Sequence, residues 1–152
     1  MSNWADFDNK MDKNFVNDVK NIETSSGVFE ELPLGTYEVA ISSMELKESK
    51  KGYPMVTTVF KVVEGRYTNR LIFKNSVVYM GDENDKLRMN SELNFLKSLD
   101  TTKSVSFEGF VKFEKLIEEI FDEIETDKIE YLLRISERNG FRIYTIEDIF
   151  ED

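Results

Sequence analysis

The chain has 152 residues, of which 40% are hydrophobic and 33% are charged, and its formal net charge is −10. This length fits one domain with a single core, and 12 Phe and 6 Tyr provide enough apolar surface to exclude global disorder. Because Cys and His are both absent, disulfides, Cys-ligated zinc and His-based acid–base catalysis are excluded.

The sequence contains no recognisable motif for catalysis by carboxylate, Lys or Ser side chains. The sequence has no nucleophile elbow, no Gly-rich phosphate loop and no paired spacing of metal ligands. We therefore expect no enzymatic activity, no cofactor and no metal. The start MSNWADFDNK lacks a basic region followed by an apolar run, and no apolar stretch approaches about 18 residues. We expect a soluble cytoplasmic protein with no membrane partner.

The first predicted element is an N-terminal helical arm within residues 1–26. Its apolar side chains recur at steps of three and four, as on one buried helix face: Trp4, Phe7, Met11, Phe15, Val19 and Ile22. This face packs either on its own domain or against a partner or a second protomer, so the partners considered include a homo-oligomer.

Three strands with short connections are predicted next. Apolar residues alternate with polar residues from Tyr37 to Ile41, at odd-numbered positions, and the alternation resumes at even-numbered positions from Met44. This change predicts a curved first strand with a bulge near residues 42 and 43. Runs rich in β-branched and aromatic residues predict a second strand over 55–63 and a third over 69–79. Together they form a three-strand meander.

A helical insertion follows over residues 85–125. One helix is predicted near residues 87–99, and a second over 113–125 has apolar residues on one face and acids on the other. The acidic face is interpreted as a solvated surface rather than a metal site.

Asn139-Gly140, between two alternating runs, predicts a β-hairpin with a type I′ turn. A two-residue turn fixes the register, with these pairs on one face: Glu137 with Arg142, Ile135 with Tyr144, and Leu133 with Ile146. The other face is predicted to carry Arg134, Arg138 and Phe141, as either a mixed solvent face or a ligand surface.

This element order predicts an α+β fold over residues 27–146. The expected form is a five-stranded antiparallel OB-like barrel, made of the meander, the helical insertion and the C-terminal hairpin. The alternative is an open α+β sheet with helices on one side, because strand order cannot be deduced from one sequence.

The middle of the chain has the composition of a single-strand-binding surface. Residues 37–81 carry 7 basic and 4 acidic side chains, and the cations alternate with aromatic residues on which unpaired bases can stack. The candidate nucleic-acid-binding residues are Lys47, Lys50, Lys51, Tyr53, Phe60, Lys61, Arg66, Tyr67, Arg70, Phe73, Lys74, Arg134, Arg138 and Phe141. Core packing is the favoured interpretation for Phe60 and Phe73, because barrels must fill their interiors, and Tyr53 and Tyr67, which lie in turns, are favoured for stacking.

Residues 147–152 are predicted to form an acidic C-terminal tail. Its apolar residues Ile149 and Phe150 are candidate contacts for replication or recombination proteins, and the acids would compete with nucleic acid for the basic surface. The alternative is a polar terminus whose apolar residues pack down.

The runs GTYEV from Gly35, LKESKKGYPM from Leu46, FKVVEGRYTNRLIF from Phe60 and NGFRIY from Asn139 resemble a family of small phage proteins of formally unknown function. Members are encoded among phage replication and recombination genes and are regarded as single-stranded DNA-binding proteins. The resemblance implies an OB-like fold, no enzymatic activity, and protection or presentation of single strands in the host cytoplasm.

Two other functions are consistent with the composition. An acidic protein-interaction module would bind a basic host or phage protein, as a DNA mimic or inhibitor does. A carboxylate–metal nuclease would use the cluster Asp82, Glu83 and Asp85, although adjacent acids in a polar turn are typical of a solvated loop.

Overall fold

The computed structural model describes Ala5 and residues 31–151. The chain divides into two compact units, Met1–Leu32 and Pro33–Asp152, and the second contains the sheet. The predicted N-terminal helix therefore lies outside the described residues, apart from Ala5.

Five strands and two helices make up the described unit. In chain order they are β1 (Gly35–Glu48), β2 (Pro54–Val62), β3 (Leu71–Val77), α1 (Asp85–Ser98), α2 (Phe110–Asp127), β4 (Glu130–Arg138) and β5 (Phe141–Phe150). The predicted meander, helical insertion and hairpin are all present. None of the helices in this part of the chain is long and apolar enough to cross a membrane.

All strand pairs are antiparallel, and the order across the sheet is β3-β2-β1-β4-β5. β1 is central: residues 39–48 pair with β2 and residues 35–40 pair with β4. Its register shifts between Ile41 and Ser43, where the bulge was predicted. The α+β fold with five antiparallel strands is thus confirmed.

The closed OB-like barrel is not confirmed, because the described sheet is open. β3 and β5 form its two edges, as in the alternative that the sequence left open. Lys74 of β3 and Arg142 of β5 both line the cleft between these edges. Charged side chains that point inward are a common means of keeping an edge strand unpaired.

The C-terminal hairpin has the predicted register. Glu137 lies opposite Arg142, and the turn residues Asn139 and Gly140 have φ values of 53° and 82°, as a type I′ turn requires. β5 continues to Phe150, which lies opposite Glu130. Residues 147–150 therefore extend the strand rather than beginning a separate acidic tail at residue 147.

The core lies between one face of the sheet and the helices. α2 buries four apolar residues at helical spacing, namely Phe113, Ile117, Ile120 and Ile124. Tyr131 of β4 is also fully buried, and its hydroxyl donates a hydrogen bond of 2.9 Å to the carbonyl of Leu99. This packing fixes which sheet face remains for solvent and ligands.

Candidate nucleic-acid interface

The sheet face opposite the core exposes apolar side chains on β2 and β3. We call this surface, made of Val59, Lys61, Leu71, Phe73 and Asn75, the β2–β3 outer face. Phe73 lies opposite Val59, and Leu71 opposite Lys61. Phe73 is 54% exposed and Leu71 is 49% exposed. An exposed aromatic ring beside a cation on a sheet face is suited to stacking on an unpaired base.

Two predicted binding residues point to the other side of the sheet. Phe60 is fully buried, with its ring centroid 6.2 Å from that of Phe95. Lys74 Nζ donates hydrogen bonds to Glu92 Oε2 at 2.7 Å and to Ser76 Oγ at 2.8 Å. Successive strand residues face opposite sides, so Phe60 and Lys74 belong to the interior while their neighbours form the outer face.

The β2–β3 loop holds three further candidates, Arg66, Tyr67 and Arg70. The ring of Tyr67 packs edge-on against Tyr37 at 6.0 Å, and the Arg66 guanidinium lies 5.5 Å from the Tyr67 ring centroid. Burial, together with the nearby Tyr67, raises the pKa of Tyr37 above its usual value, and Arg142 acts in the opposite direction. Tyr67 and Arg70 are half-buried, and Arg66 is the exposed residue among these three candidates.

The β1–β2 loop carries Lys50 and Lys51, both exposed, whereas Tyr53 is half-buried. Gly52, at φ 83°, closes the turn by donating its N–H to the Ser49 carbonyl. Lys47 precedes the loop, and its Nζ lies 3.6 Å from Glu45 Oε1.

These two loops lie at opposite ends of β2. A strand of nine residues spans about 30 Å at roughly 3.3 Å per residue. The predicted loop residues therefore form two groups, and the β2–β3 outer face lies between them. A single strand would have to run along the outer face to contact both loops.

The hairpin brings its three candidates together on one face, as predicted. Phe141 lies opposite Arg138 and is 75% exposed, and Arg134 is further along β4. Arg134 Nη1 also forms an ion pair of 3.2 Å with Glu147. The predicted partner contacts differ in burial, since Ile149 is half-buried opposite Tyr131 and Phe150 is exposed.

A pair of carboxyl groups that the sequence analysis did not identify lies near the β2–β3 loop. The pKa of Glu38 is raised by a side-chain hydrogen bond with Glu64 and by the negative charges of Glu64 and Glu130. The backbone also joins the two segments, because Val63 N–H donates to the Glu38 carbonyl at 2.9 Å. Glu38 and Glu64 are distant in sequence, so no local pattern reveals this negative patch.

The acidic cluster before α1 has a structural role. Arg88 Nη1 donates to Asp82 at 2.6 Å and to Asp85 at 2.8 Å, and Asp85 also accepts backbone N–H groups from the preceding loop. The hydrogen bond from Arg88 lowers the pKa of Asp82. Within the described residues, no group of three or more Asp or Glu residues is arranged to hold a metal ion.

The structure adds a cleft between the two edge strands, with a volume of about 390 Å³. We call it the seam cleft. Its lining residues come from β3, α1 and β5, and they are Lys74, Asn75, Ser76, Ser91, Asn94, Phe95, Ser98, Arg142, Ile143, Tyr144, Thr145 and Ile146. The predicted hairpin register placed Arg142 and Tyr144 on the same face as Leu133 and Ile135. The cleft beside them forms because β3 and β5 do not pair, which the register does not predict.

Comparison with known proteins gives one family. No curated protein matches the sequence. Residues 16–123 match the family described as "Protein of unknown function (DUF669)". The match covers more than two thirds of the chain and includes β1, β2, β3 and α1, together with most of α2. The chain therefore belongs to the DUF669 family of proteins of unknown function.

Proposed function

We propose that this protein binds single-stranded DNA with little sequence preference. The observation that carries the proposal is the exposed ring of Phe73 on the β2–β3 outer face, next to Lys61 and between two loops that present cations. The role would be to protect or present single strands during phage replication or recombination, in the cytoplasm of the bacterial host.

The energetics favour a small number of strong contacts. Each base stacked on an aromatic side chain contributes about 1 to 3 kcal/mol. Phe73 provides one such platform and Phe141 a second on the hairpin, and the exposed cations supply phosphate contacts: Lys50, Lys51, Lys61, Arg66 and Arg138. Since phosphate contacts release counterions, the affinity should fall steeply with salt.

The strand arrangement supports an OB-like interpretation of the fold. In the described sheet the first strand pairs with both β2 and β4, and the helices are inserted between β3 and β4. OB folds are partly open five-stranded barrels that bind oligonucleotides on the face of strands two and three and with the loops beside it. We propose that this sheet is an OB-like barrel left open between β3 and β5.

The net charge of −10 limits the affinity. Long-range repulsion between an acidic protein and DNA is screened beyond about 10 Å at 0.1 M salt, so the local cations of the outer face dominate at close range. The Glu38–Glu64 pair opposes phosphate binding locally. Moderate affinity with strong salt dependence is therefore expected.

The test is a fluorescence-anisotropy titration of a labelled ~30-nucleotide single strand and its duplex at two salt concentrations. Phe73→Ala and Lys61→Gln should each weaken single-strand binding by about fivefold or more, as expected for a lost stack or a lost phosphate contact. Phe150→Ala and Lys86→Gln are matched controls, since both residues are exposed outside the proposed surface. Absence of single-strand binding at low salt would refute the proposal.

A second candidate is an acidic protein-interaction module, and α2 favours it. This helix carries seven acidic and two basic side chains, and none of the seven acids is buried. Such a surface attracts basic proteins and can mimic DNA. Binding to a basic partner that persists when Lys50, Lys51 and Arg70 are reversed in charge, without any single-strand binding, would select this function.

A further inference from the structure

The starts of α1 and α2 enclose an apolar groove, which we call the helix-end groove. Its volume is about 420 Å³, within the usual range of binding sites, roughly 300 to 1,000 Å³. Six of the nine described residues that line it are apolar, namely Val78, Tyr79, Met89, Leu93, Phe107 and Phe110. The groove shares no lining residue with the β2–β3 outer face or with the seam cleft, so it is a separate surface.

Aromatic rings form one wall of this groove and remain partly exposed. Phe110 is at their centre, because its ring centroid lies 5.8 Å from that of Tyr79 and 4.9 Å from that of Phe107. Tyr79 is 48% exposed and Phe107 is 37% exposed. A partner that covered these rings would remove apolar surface from water, which favours binding.

Exposed apolar side chains also surround the groove. Met80, Leu87 and Val111 each lie next in sequence to a lining residue, and all three are exposed. With Tyr79 and Phe107 they make up five of the eleven large apolar side chains that are exposed in the described part of the chain. Such a concentration at one place marks an interaction surface, whereas apolar residues scattered singly over a surface need no explanation.

The carboxylate of Asp85 fixes the loop after β3 to the start of α1. It accepts hydrogen bonds of 2.8 Å from the backbone N–H groups of Met80 and Gly81, and Arg88 Nη1 donates to it at the same distance. The segment that carries Tyr79 is thereby tied to α1. A groove that is preformed in this way loses less conformational freedom when it binds a partner.

A line of acidic side chains on α2 continues from the groove. Counted from Phe110, steps of four, four and seven residues reach Glu114, Glu118 and Glu125, so the three acids lie on the same side of the helix as Phe110. We call these three residues the acidic stripe. All three are exposed, and none of them forms an ion pair with another described residue.

These charges select among the occupants of the groove. The charged lining residues that the structure describes, Asp85 and Lys86, balance each other, so the acidic stripe determines the sign of the local charge. A second copy of this chain, with its net charge of −10, would be repelled, and so would a DNA strand. A basic segment with apolar side chains is complementary both to the groove and to the stripe.

We propose that the helix-end groove binds an amphipathic helix of a basic protein. Bulky apolar side chains of that helix fill the groove, and its Lys or Arg side chains contact the acidic stripe. From Glu114 to Glu125 the stripe extends over about 17 Å at 1.5 Å per residue, which matches three turns of a helix lying beside α2. The proposal does not depend on DNA binding. If both surfaces act, the protein brings a basic partner to single strands.

The test uses a synthetic peptide of about 18 residues, roughly 27 Å as a helix, with Leu and one Trp on one face and Lys on the other. A fluorescein label on the peptide reports its binding to the full chain by anisotropy, at about 0.15 M salt so that charge attraction is screened beyond about 8 Å. This Lys peptide should bind. A peptide with Glu in place of each Lys, and a scrambled peptide without a single apolar face, should bind at least about tenfold more weakly.

Asn90→Trp should weaken binding of the Lys peptide at least about tenfold, because Asn90 is an exposed lining residue and a Trp ring there would occupy the groove. Asn94→Trp is the matched control, since Asn94 is one turn further along α1 and does not line the groove.

Glu114→Gln combined with Glu118→Gln should weaken binding of the Lys peptide about fivefold, as expected for the loss of two exposed ion pairs. Glu119→Gln combined with Asp127→Asn is the matched control. It removes the same charge from α2 at helical positions away from the acidic stripe, so it should have little effect.

Two cross-checks separate this site from the proposed DNA surface. Phe73→Ala should leave peptide binding unchanged, and Asn90→Trp should leave binding of the ~30-nucleotide strand unchanged. Absence of Lys-peptide binding at up to about 1 mM, equal binding of the Lys and Glu peptides, or equal effects of Asn90→Trp and Asn94→Trp would overturn the proposal. A loss of strand binding in Asn90→Trp, or a dimer of the parent chain in sedimentation that Asn90→Trp dissociates, would also overturn it, because DNA or a second copy would then occupy the groove.

Discussion

Nζ of Lys74 lies 2.7 Å from Oε2 of Glu92, and this ion pair joins the edge strand β3 to α1. The side chains are only 12% and 1% exposed, so both charges have lost most of their hydration. The Lys74 ammonium also lies 4.1 Å from the ring centroid of Phe95. The pair therefore holds an edge strand against a helix at the wall of the seam cleft.

Removing one member of this pair should strongly destabilise the fold. Glu92→Leu leaves the Lys74 charge buried without its partner, and such changes typically cost about 3 to 5 kcal/mol. The double variant Lys74→Met with Glu92→Leu should recover most of that loss, because no buried charge remains. Urea denaturation of both single variants and the double variant measures the coupling. If the two substitutions lower the free energy of unfolding additively, Lys74 and Glu92 do not stabilise each other and the prediction is wrong.

Alkaline pH should destabilise the protein through Tyr131. Burial raises the pKa of this phenol, with additional contributions from the charges of Glu151, Asp100 and Glu123. In the unfolded chain the phenol ionises at about pH 10, whereas in the fold it stays neutral. Stability should thus decline as the pH rises above that value.

Tyr131→Phe separates the two roles of the hydroxyl. The variant should lose about 1 to 3 kcal/mol at pH 7, because the Leu99 carbonyl loses its donor, and it should decline less steeply above about pH 10. Thermal unfolding at pH 7 and at about pH 11 measures both effects. An alkaline slope identical to that of the parent chain would show that Tyr131 is not responsible.

Relief of the Glu38–Glu64 repulsion should stabilise the fold and strengthen DNA binding. A raised carboxyl pKa means that the folded state binds the proton more tightly than the unfolded state does. The resulting stability is present below the usual Glu pKa and is lost as the pH rises through the raised value. The repulsion between Glu38 and Glu64 therefore increases as the pH rises.

Glu64→Gln should increase the melting temperature at pH 7 and reduce its dependence on pH between about 4.5 and 7. It should also increase single-strand affinity about two- to fivefold, as expected for one fewer negative charge near the surface. Glu118→Gln, an exposed change on α2, is the control for net charge. If both variants increase affinity equally, the effect is one of total charge rather than position.

The hairpin turn should tolerate change at only one of its two central positions. Gly140, at φ 82°, has a conformation that costs other residues about 1 to 2 kcal/mol, so Gly140→Ala should destabilise by that amount. Asn139→Gly keeps the positive φ accessible and should be close to neutral. Chemical denaturation compares the two, and equal losses would argue against a strained turn.

Local patterns predicted most of the elements. The change of parity near residue 42 located the bulge, and Asn139-Gly140 determined the pairing of Glu137 with Arg142. The helix from Phe110 to Asp127 followed from apolar spacing, within three residues at each end. These features depend on neighbouring residues, and short-range sterics and hydrophobic periodicity are sufficient to specify them.

The candidate binding surface was only partly predictable. The alternation of cations and aromatic residues made the four residues 60, 61, 73 and 74 candidates. It did not show which residue of each pair lies on the binding surface. Strand periodicity requires the two to face opposite sides, but it does not say which side is the core. Packing against α1 decided the question, placing Phe60 and Lys74 inside and leaving Phe73 and Lys61 outside.

By itself, the sequence determined the strand and helix order, the bulge and the hairpin register, because each depends on interactions between residues close in the chain. The tertiary structure alone decided that β3 and β5 remain unpaired, that Glu38 meets Glu64, and that Lys74 meets Glu92. These relationships join residues far apart in sequence, and they arise only when the bent central strand and the helices pack around one core.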